Sequence, residues 1–200
     1  VIMGCVLPAN LGQAPARQAA IAAGLPLSAG ATTINKVCGS GMKAIMLGAD
    51  LIAAGSAKVV VAGGMESMSN APHMLPNSRS GNRYGNFQAV DHMAFDGLTN
   101  AYDGQPMGVF GEDCVSKYGF SREDQDAWAI QSVQRAQAAT ASGAFADEIA
   151  PVTVASRKGE VQLSVDEQPG RSDIGKIPTL RPAFKKDGTI TAASSSSISD

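Results

Sequence analysis

Thr32-Thr33-Ile34-Asn35-Lys36-Val37-Cys38-Gly39-Ser40-Gly41-Met42 is the stretch on which the reading of this chain turns. Thr32–Val37 is short and β-branched, which predicts a buried strand. After the Gly-Ser-Gly turn, a helix is expected from about Met42 to Ala54, closed by Gly55. Ile45, Met46, Leu47, Leu51 and Ile52 cover nearly its whole circumference, and only Lys43 and Asp50 are charged. A helix apolar on all sides is expected to be buried. Lys58–Ala62 is then a continuous apolar run, the pattern of a strand covered on both faces. Strand, turn, helix and strand make a βαβ unit, so the fold class is α/β.

Before this unit, Val1–Leu7 predicts another strand. An Ala-rich helix follows from about Pro15 to Ala23, with Pro in its first turn, Gly24 at its end and Pro26 beyond. Beyond the unit, Gly63–Pro106 is rich in Gly, Met, Asn and Ser and has no clear period, as in functional or assembly loops. Helical character returns over Gly108–Tyr118. A clearer helix begins at Ser121, where Ser121-Arg-Glu-Asp124 offers a capping box, and ends near Gly143. Ile149–Ser156 and Glu160–Val165 flank Arg157-Lys158-Gly159, which predicts a hairpin. Gln168–Lys176 reads as loop and Thr189–Ala193 as a final strand.

Composition narrows the function class. With 200 residues, 44% hydrophobic and 17% charged, the chain can bury a core. A formal net charge of −2 with interspersed signs gives no field for DNA or RNA, so nucleic acid is not an expected partner. Every apolar run stops short of the roughly 20 residues that span a bilayer, so no membrane partner is expected either. Three separated cysteines, Cys5, Cys38 and Cys114, suit a reducing, cytoplasmic compartment better than a disulfide framework. His73 and His92, the only histidines, lack metal-ligand spacing, and no metal site is expected. Val1 stands where an initiator Met would, and Asp200 ends the chain without a cap or polar tail. The chain is therefore expected to be part of a longer protein, whose missing start would hide any targeting peptide.

Cys38 carries the strongest chemical signal. Between a strand and the first turn of a helix, its sulfur would meet converging backbone N–H groups and the positive end of the helix dipole. Both favour thiolate over thiol. Gly39 and Gly41 would leave room for a bulky substrate. A buried structural cysteine is the competing reading, and the Gly-Ser-Gly context favours the nucleophile. The turn lacks the Gly-Lys-Ser/Thr ending of a nucleotide-binding loop. In Gly63-Gly-Met-Glu66-Ser-Met-Ser69, Glu66 is either a structural carboxylate, the commoner outcome, or a catalytic base. Met65, Met68, Met74, Met93 and Met107 either line an apolar pocket or fill the core.

Asn35-Lys-Val-Cys38-Gly-Ser-Gly-Met-Lys-Ala44 resembles the nucleophile segment of the thiolases, acetyl-CoA acetyltransferases and 3-ketoacyl-CoA thiolases. Val61-Ala-Gly-Gly-Met-Glu-Ser-Met-Ser69, continued by Ala71-Pro-His73, resembles the family's next signature. Pro15-Ala-Arg-Gln-Ala19, Ser121-Arg-Glu-Asp-Gln-Asp126, Leu180-Arg-Pro-Ala-Phe184 and Gly188-Thr-Ile-Thr-Ala192 resemble further segments, in order along essentially the whole chain.

The resemblance implies a thiolase-like layered α/β/α fold, incomplete, with an inserted loop domain. Residues 1–67 would be part of the N-terminal core domain with the nucleophile. Residues 68–188 would be the loop domain, with a tetramerisation loop and coenzyme A-binding region, and 189–200 a return strand to the core. Reversible Claisen chemistry that makes or cleaves 3-ketoacyl-CoA, as in fatty acid metabolism, is the implied activity, with Cys38 carrying the acyl group. Coenzyme A would contact Leu98, Met107, Phe184, Ala192 and Ser196, with Arg171 toward its nucleotide end. Coenzyme A and acyl-CoA would be substrates with no permanently bound cofactor, and the assembly a homotetramer or dimer. The chain departs from the pattern at Pro106, where many biosynthetic members carry His, and at Ser194-Ser-Ser-Ser197, which replaces Asn-Ala-Ser-Gly. The family's Gly-His-Pro and Cys-x-Gly-Gly-Gly segments are absent from residues 1–200. These supply the oxyanion-stabilising His and the proton-moving second Cys, so the 200 residues alone are expected to be inactive. The alternative from another class is a non-catalytic, thiolase-like acyl- or lipid-binding protein.

Overall fold

The computed structural model describes residues 1–157 and 159–199. They form two compact units, one comprising Val1–Met107 with Ile198 and Ser199, the other Gly108–Ser197.

The first unit is built on a three-stranded parallel sheet. Strand β1 (Ile2–Gly4) is central, flanked by β2 (Thr32–Ile34) and β3 (Ala62–Gly64), with Ile2 opposite both Thr32 and Ala62. Two helices supply the crossovers. Helix α1 (Pro15–Ala22) has the expected proline in its first turn, and Gly24 (φ +80) ends it in the left-handed region. It buries Ala16 and Ala20, one turn apart. Helix α2 (Ser40–Ala53) buries Ser40, Ala44 and Gly48, again spaced by four. Small residues on these stripes let the helices approach the sheet closely. A Cβ on Gly48 would stand 3.0 Å from Val60 Cγ1, so nothing larger fits without a shift.

Two expectations change here. Among the described residues, helix α2 is covered on one face only: Met42, Ile45, Met46 and Ile52 are exposed, Met42 by 72%. Close approach to β1 and β3 selects the Ser-Ala-Gly stripe as the covered face, and the large side chains point away from it. The strand after α2 is also displaced in sequence. Ladder pairing covers Ala62–Gly64 rather than Lys58–Ala62, although Ile2 N–H also donates to Val61 O at 2.9 Å. Its glycines stay in the sheet because Met65 N–H donates to Gly4 O at 2.9 Å.

The stretch read as structureless contains a small clip and a turn of unusual helix. Strands β4 (His73–Met74) and β5 (Val90–Asp91) pair antiparallel, with a 3-10 turn at Ser78–Ser80 between them. A π-helical turn, Met93–Leu98, follows directly.

The second unit is entered through α3 (Met107–Tyr118) and centred on α4 (Arg122–Ala141). Ser121 caps α4 as expected, its side chain accepting from Asp124 N–H, and Gly143 (φ +70) lies just past its end. The guanidinium of Arg122 pairs with Asp126 at 2.9 Å and donates to the carbonyls of Ile177 and Leu180. A hairpin of β6 (Val152–Ser156) and β7 (Gly159–Leu163) appears where predicted; Lys158, named with the expected hairpin, lies outside the described residues. Gln168–Lys176, read as loop, instead carries parts of α5 (Glu167–Arg171) and a 3-10 helix (Ile174–Thr179), capped by Asp166 and Asp173. Thr189–Ala193 is not a strand. The buried Glu112 carboxylate accepts the N–H groups of Thr189 and Ile190 at 2.9–3.1 Å, which takes the donors that a ladder would use. A 3-10 turn, Ala192–Ser194, comes next, and Asp200, in the expected return strand, lies outside the described residues.

Candidate active site

Cys38 sits in a turn whose every bond serves to hold it. Asn35 Oδ1 accepts from Val37 N–H at 2.8 Å, and the buried Ser40 Oγ accepts from Lys36 N–H at 2.8 Å while donating to Val37 O. Gly39 N–H donates to Lys36 O and Ser40 N–H to Val37 O. This closed set holds Val37 at φ +49, a left-handed conformation that a β-branched residue rarely adopts. The chain thereby reverses at Val37 and presents Cys38, exposed, immediately before the first turn of α2.

Glycines set the height of that turn over the sheet. A Cβ on Gly4 would lie 2.5 Å from the Ser40 carbonyl carbon and 2.6 Å from its Cβ, so β1 meets the start of α2 backbone to backbone. One on Gly41 would lie 3.4 Å from Gly64 N. Gly41 therefore lies against β3, and it also lines the cavity beside Cys38.

The turn opens on a cavity of about 390 Å³. Cys38, Leu7, Met65, Met68, Met93 and Leu98 are among its lining, with Val6 and Gly97 beside them. Three of the five methionines weighed as pocket-lining are there; Met74 and Met107 are not. Glu66 borders the same space and has a defined task. Its carboxylate accepts the N–H groups of Val6 at 2.7 Å and Leu7 at 2.9 Å. Cys5 Sγ donates to it at 3.5 Å. The structural-carboxylate reading of Glu66 fits this geometry.

Of the three cysteines, Cys5 is 1% exposed. Burial, and after it the negative charge of Glu66 and the Sγ–carboxylate hydrogen bond, push the Cys5 thiol up to about 11. A thiol held protonated is a poor nucleophile. Cys114 is exposed on α3. Cys38 alone combines exposure with the cavity.

The residues that the family resemblance assigned to coenzyme A divide between the units. Leu98 shares the cavity with Cys38. Ser196 borders a different space of about 660 Å³ in the second unit, with Phe120, Trp128 and Ile190. Met107, Arg171, Phe184 and Ala192 line neither. Arg171 pairs with Glu167 one turn away on α5, and the Phe184 ring packs on Gly108 so closely that no Cβ fits there. Leu7, Val6 and Gly97 were not singled out from sequence. Only the position of Val6 and Leu7 at the exit of β1, opposite the Gly63–Ser69 segment, could have suggested them. Among the described residues, no cluster of His, Cys, Asp or Glu could hold a metal ion, and no helix is long and apolar enough to cross a membrane.

Comparison with known proteins agrees along the full length. The family pattern described as "Thiolase, N-terminal domain" matches residues 1–200. An acetyl-CoA acetyltransferase of Chromobacterium violaceum is 54% identical over all of this chain and 52% of its own length. That of Schizosaccharomyces pombe is 51% identical over all of this chain and 51% of its own length, and acetyl-CoA acetyltransferase 1 of Arabidopsis thaliana is 52% identical over all and 49%. The crystal structure of the Acat5 thiolase of Ascaris suum in complex with coenzyme A superposes with a TM-score of 0.86 at 47% identity, over 96% of this chain and 48% of that one. The chain thus spans about half the length of the curated relatives it matches.

Proposed function

This chain belongs to the thiolase family, matching its N-terminal domain, and on that premise we propose that the whole protein is an acyltransferase working through an acyl-Cys38 intermediate. The observation that carries the reading is the placement of Cys38: exposed, before the first turn of α2, on the rim of a largely apolar cavity. In the synthetic direction, the Cys38 thiolate attacks the thioester carbonyl of acetyl-CoA. A sulfur–carbon bond forms to Cys38, the bond to the coenzyme A sulfur breaks, and coenzyme A leaves with its electron pair, as the thiolate. The α-carbon of a second acyl-CoA, having lost a proton, then attacks acetyl-Cys38. A carbon–carbon bond forms, and the Cys38 sulfur departs with the electron pair of the thioester. The degradative direction is the reverse, with coenzyme A discharging acyl-Cys38. Cysteine suits both because it is a strong nucleophile whose thioester stays activated.

The chain's own contribution is positional. Asn35, Ser40 and the strained Val37 hold the sulfur just before the helix start. Leu98 and the methionines give an apolar surface to the acyl chain and the pantetheine. Leu98, Met107, Phe184, Ala192, Ser196 and Arg171 remain the proposed coenzyme A contacts. The oxyanion His and second Cys implied by the family pattern would be supplied from outside residues 1–200. A tetrameric or dimeric assembly, a cytoplasmic location and a role in fatty acid metabolism belong to the same proposal.

Steady-state assay of the full-length protein tests it. Coenzyme A-dependent cleavage of acetoacetyl-CoA should be measurable and should be abolished in Cys38→Ala. Cleavage that survives this substitution would overturn the assignment.

A further inference from the structure

His92 is a buried histidine that the proposed mechanism does not use. It is 5% exposed and both ring nitrogens are engaged. Nδ1 lies 2.6 Å from Asp96 Oδ2, and Nε2 accepts the Ala9 N–H at 3.4 Å. An acceptor at Nε2 places the proton on Nδ1, where it is donated to the carboxylate, so the two partners select one neutral tautomer. Neither nitrogen is left to exchange a proton with a substrate.

The two partners belong to two segments that both line the Cys38 cavity. Asp96 lies within the π-helical turn Met93–Leu98, whose Met93, Gly97 and Leu98 line the cavity. Ala9 ends the segment Val6–Ala9, whose Val6 and Leu7 line it as well. The walls meet where a Cβ on Gly97 would stand 3.5 Å from Leu7 Cδ2. Each wall is anchored separately elsewhere: the segment by Glu66 on Val6 and Leu7, the π turn by Asp91 Oδ1 on Met93 N–H and by Thr99 Oγ1 on Ala94 O. His92 ties one to the other. A single π-helical turn is a rare element, found frequently at functional sites.

We propose that the His92–Asp96 pair is a positioning device that sets the width of the Cys38 cavity and thereby the size of the acyl group it accepts. The statement about acyl size rests on the acyltransferase reading; the statement about cavity width does not.

The test uses the full-length protein with His92→Phe, which keeps the bulk and deletes both bonds, and Asp96→Asn, which weakens one. Asn and Gln at position 92 serve as partial replacements, Asn reaching toward Asp96 and Gln toward Ala9. Two ratios are read. One is the alkylation rate of Cys38 by N-hexylmaleimide relative to iodoacetamide. The other is kcat/KM for an eight-carbon 3-ketoacyl-CoA relative to acetoacetyl-CoA. Loss of the tie should widen the cavity and raise both ratios at least threefold in His92→Phe, through KM more than kcat, with Asn or Gln restoring part of the change. Unchanged ratios in a folded His92→Phe overturn the proposal, and so does an equal loss of kcat for both substrates. Should His92→Phe fail to fold, Asp96→Asn decides by the same ratios. A wild-type protein that cleaves neither substrate would sink the acyltransferase reading, while the alkylation ratio would still decide the role of His92.

Discussion

Replacing Glu66 with glutamine separates a positioning carboxylate from a catalytic base. In the structure, the carboxylate accepts two backbone N–H groups, from Val6 and Leu7, and the Cys5 thiol. Glutamine keeps one acceptor oxygen and turns the other into an NH₂ group facing a donor. One charge-assisted hydrogen bond, worth about 1.5–3 kcal/mol, is lost. Glu66 is exposed to the cavity, so water partly replaces it, and the net loss should fall near the lower end, about 1–2 kcal/mol. Urea denaturation of the full-length protein should show this as a lower midpoint at unchanged slope. Removing the charge should also lower the Cys5 pKa from about 11, but only partly, since burial is the larger cause. The ¹³Cβ chemical shift of Cys5 against pH reads that directly. Turnover should fall less than tenfold, whereas loss of a general base costs about 10²–10⁴-fold. An unchanged midpoint together with a hundredfold loss of kcat would refute the reasoning and make Glu66 a catalytic group.

Other consequences follow from the same contacts. Gly4→Ala places a Cβ 2.5 Å from the Ser40 backbone, so stability should fall by about 1–3 kcal/mol. Cys38 should move enough to cost up to about 10²-fold in kcat/KM, while Gly30→Ala, with open space around it, should leave the denaturation midpoint and kcat/KM unchanged. Ser40→Ala leaves the Lys36 N–H without its buried acceptor, a loss of about 1–3 kcal/mol. It should also release Val37 from its left-handed conformation, detectable as a fall in Cys38 acylation rate beyond the stability change. Cys5 has a folded pKa raised from 9.0 to about 11, so its contribution to stability is fully present below about pH 9. That contribution declines as pH rises and is lost above about 11. Cys5→Ala should flatten that decline in pH-dependent denaturation, and a wild-type curve flat across this range would contradict the burial argument.

The parts of the site that follow from local chain chemistry were legible in the sequence. Proline in the first turn of α1, glycine after its last, and the β-branched run before Cys38 specify backbone conformations directly, and the strand–turn–helix order emerges. The strand is cut back to Thr32–Ile34 and only half-buried, where Thr32–Val37 was expected buried. Which face of α2 the sheet covers was not legible. Hydrophobicity around a helix says that the surface is apolar, but the choice of covered face depends on how closely the sheet can approach. The Ser40-Ala44-Gly48 stripe decides that. For the same reason the contact of Gly41 with Gly64 was hidden, although its place beside Cys38 on the cavity was not. The cavity walls were hidden for a different cause. Leu7, Met93 and Gly97 are brought together by side-chain ties across more than 80 residues, Ala9 to His92 among them, and no periodic pattern marks such contacts. Similarly, Glu112 withdraws Thr189 and Ile190 from the ladder that their β-branched side chains suggested.

Everything proposed here depends on Cys38 carrying an acyl group that coenzyme A can remove. Brief incubation of the full-length protein with radiolabelled acetyl-CoA, followed by peptide mapping, locates the label; a chase with unlabelled coenzyme A tests its transfer. The account predicts label on the peptide containing Cys38, discharged by the chase as labelled acetyl-CoA. Label on Cys5 or Cys114, or label on Cys38 that coenzyme A fails to remove, would contradict it.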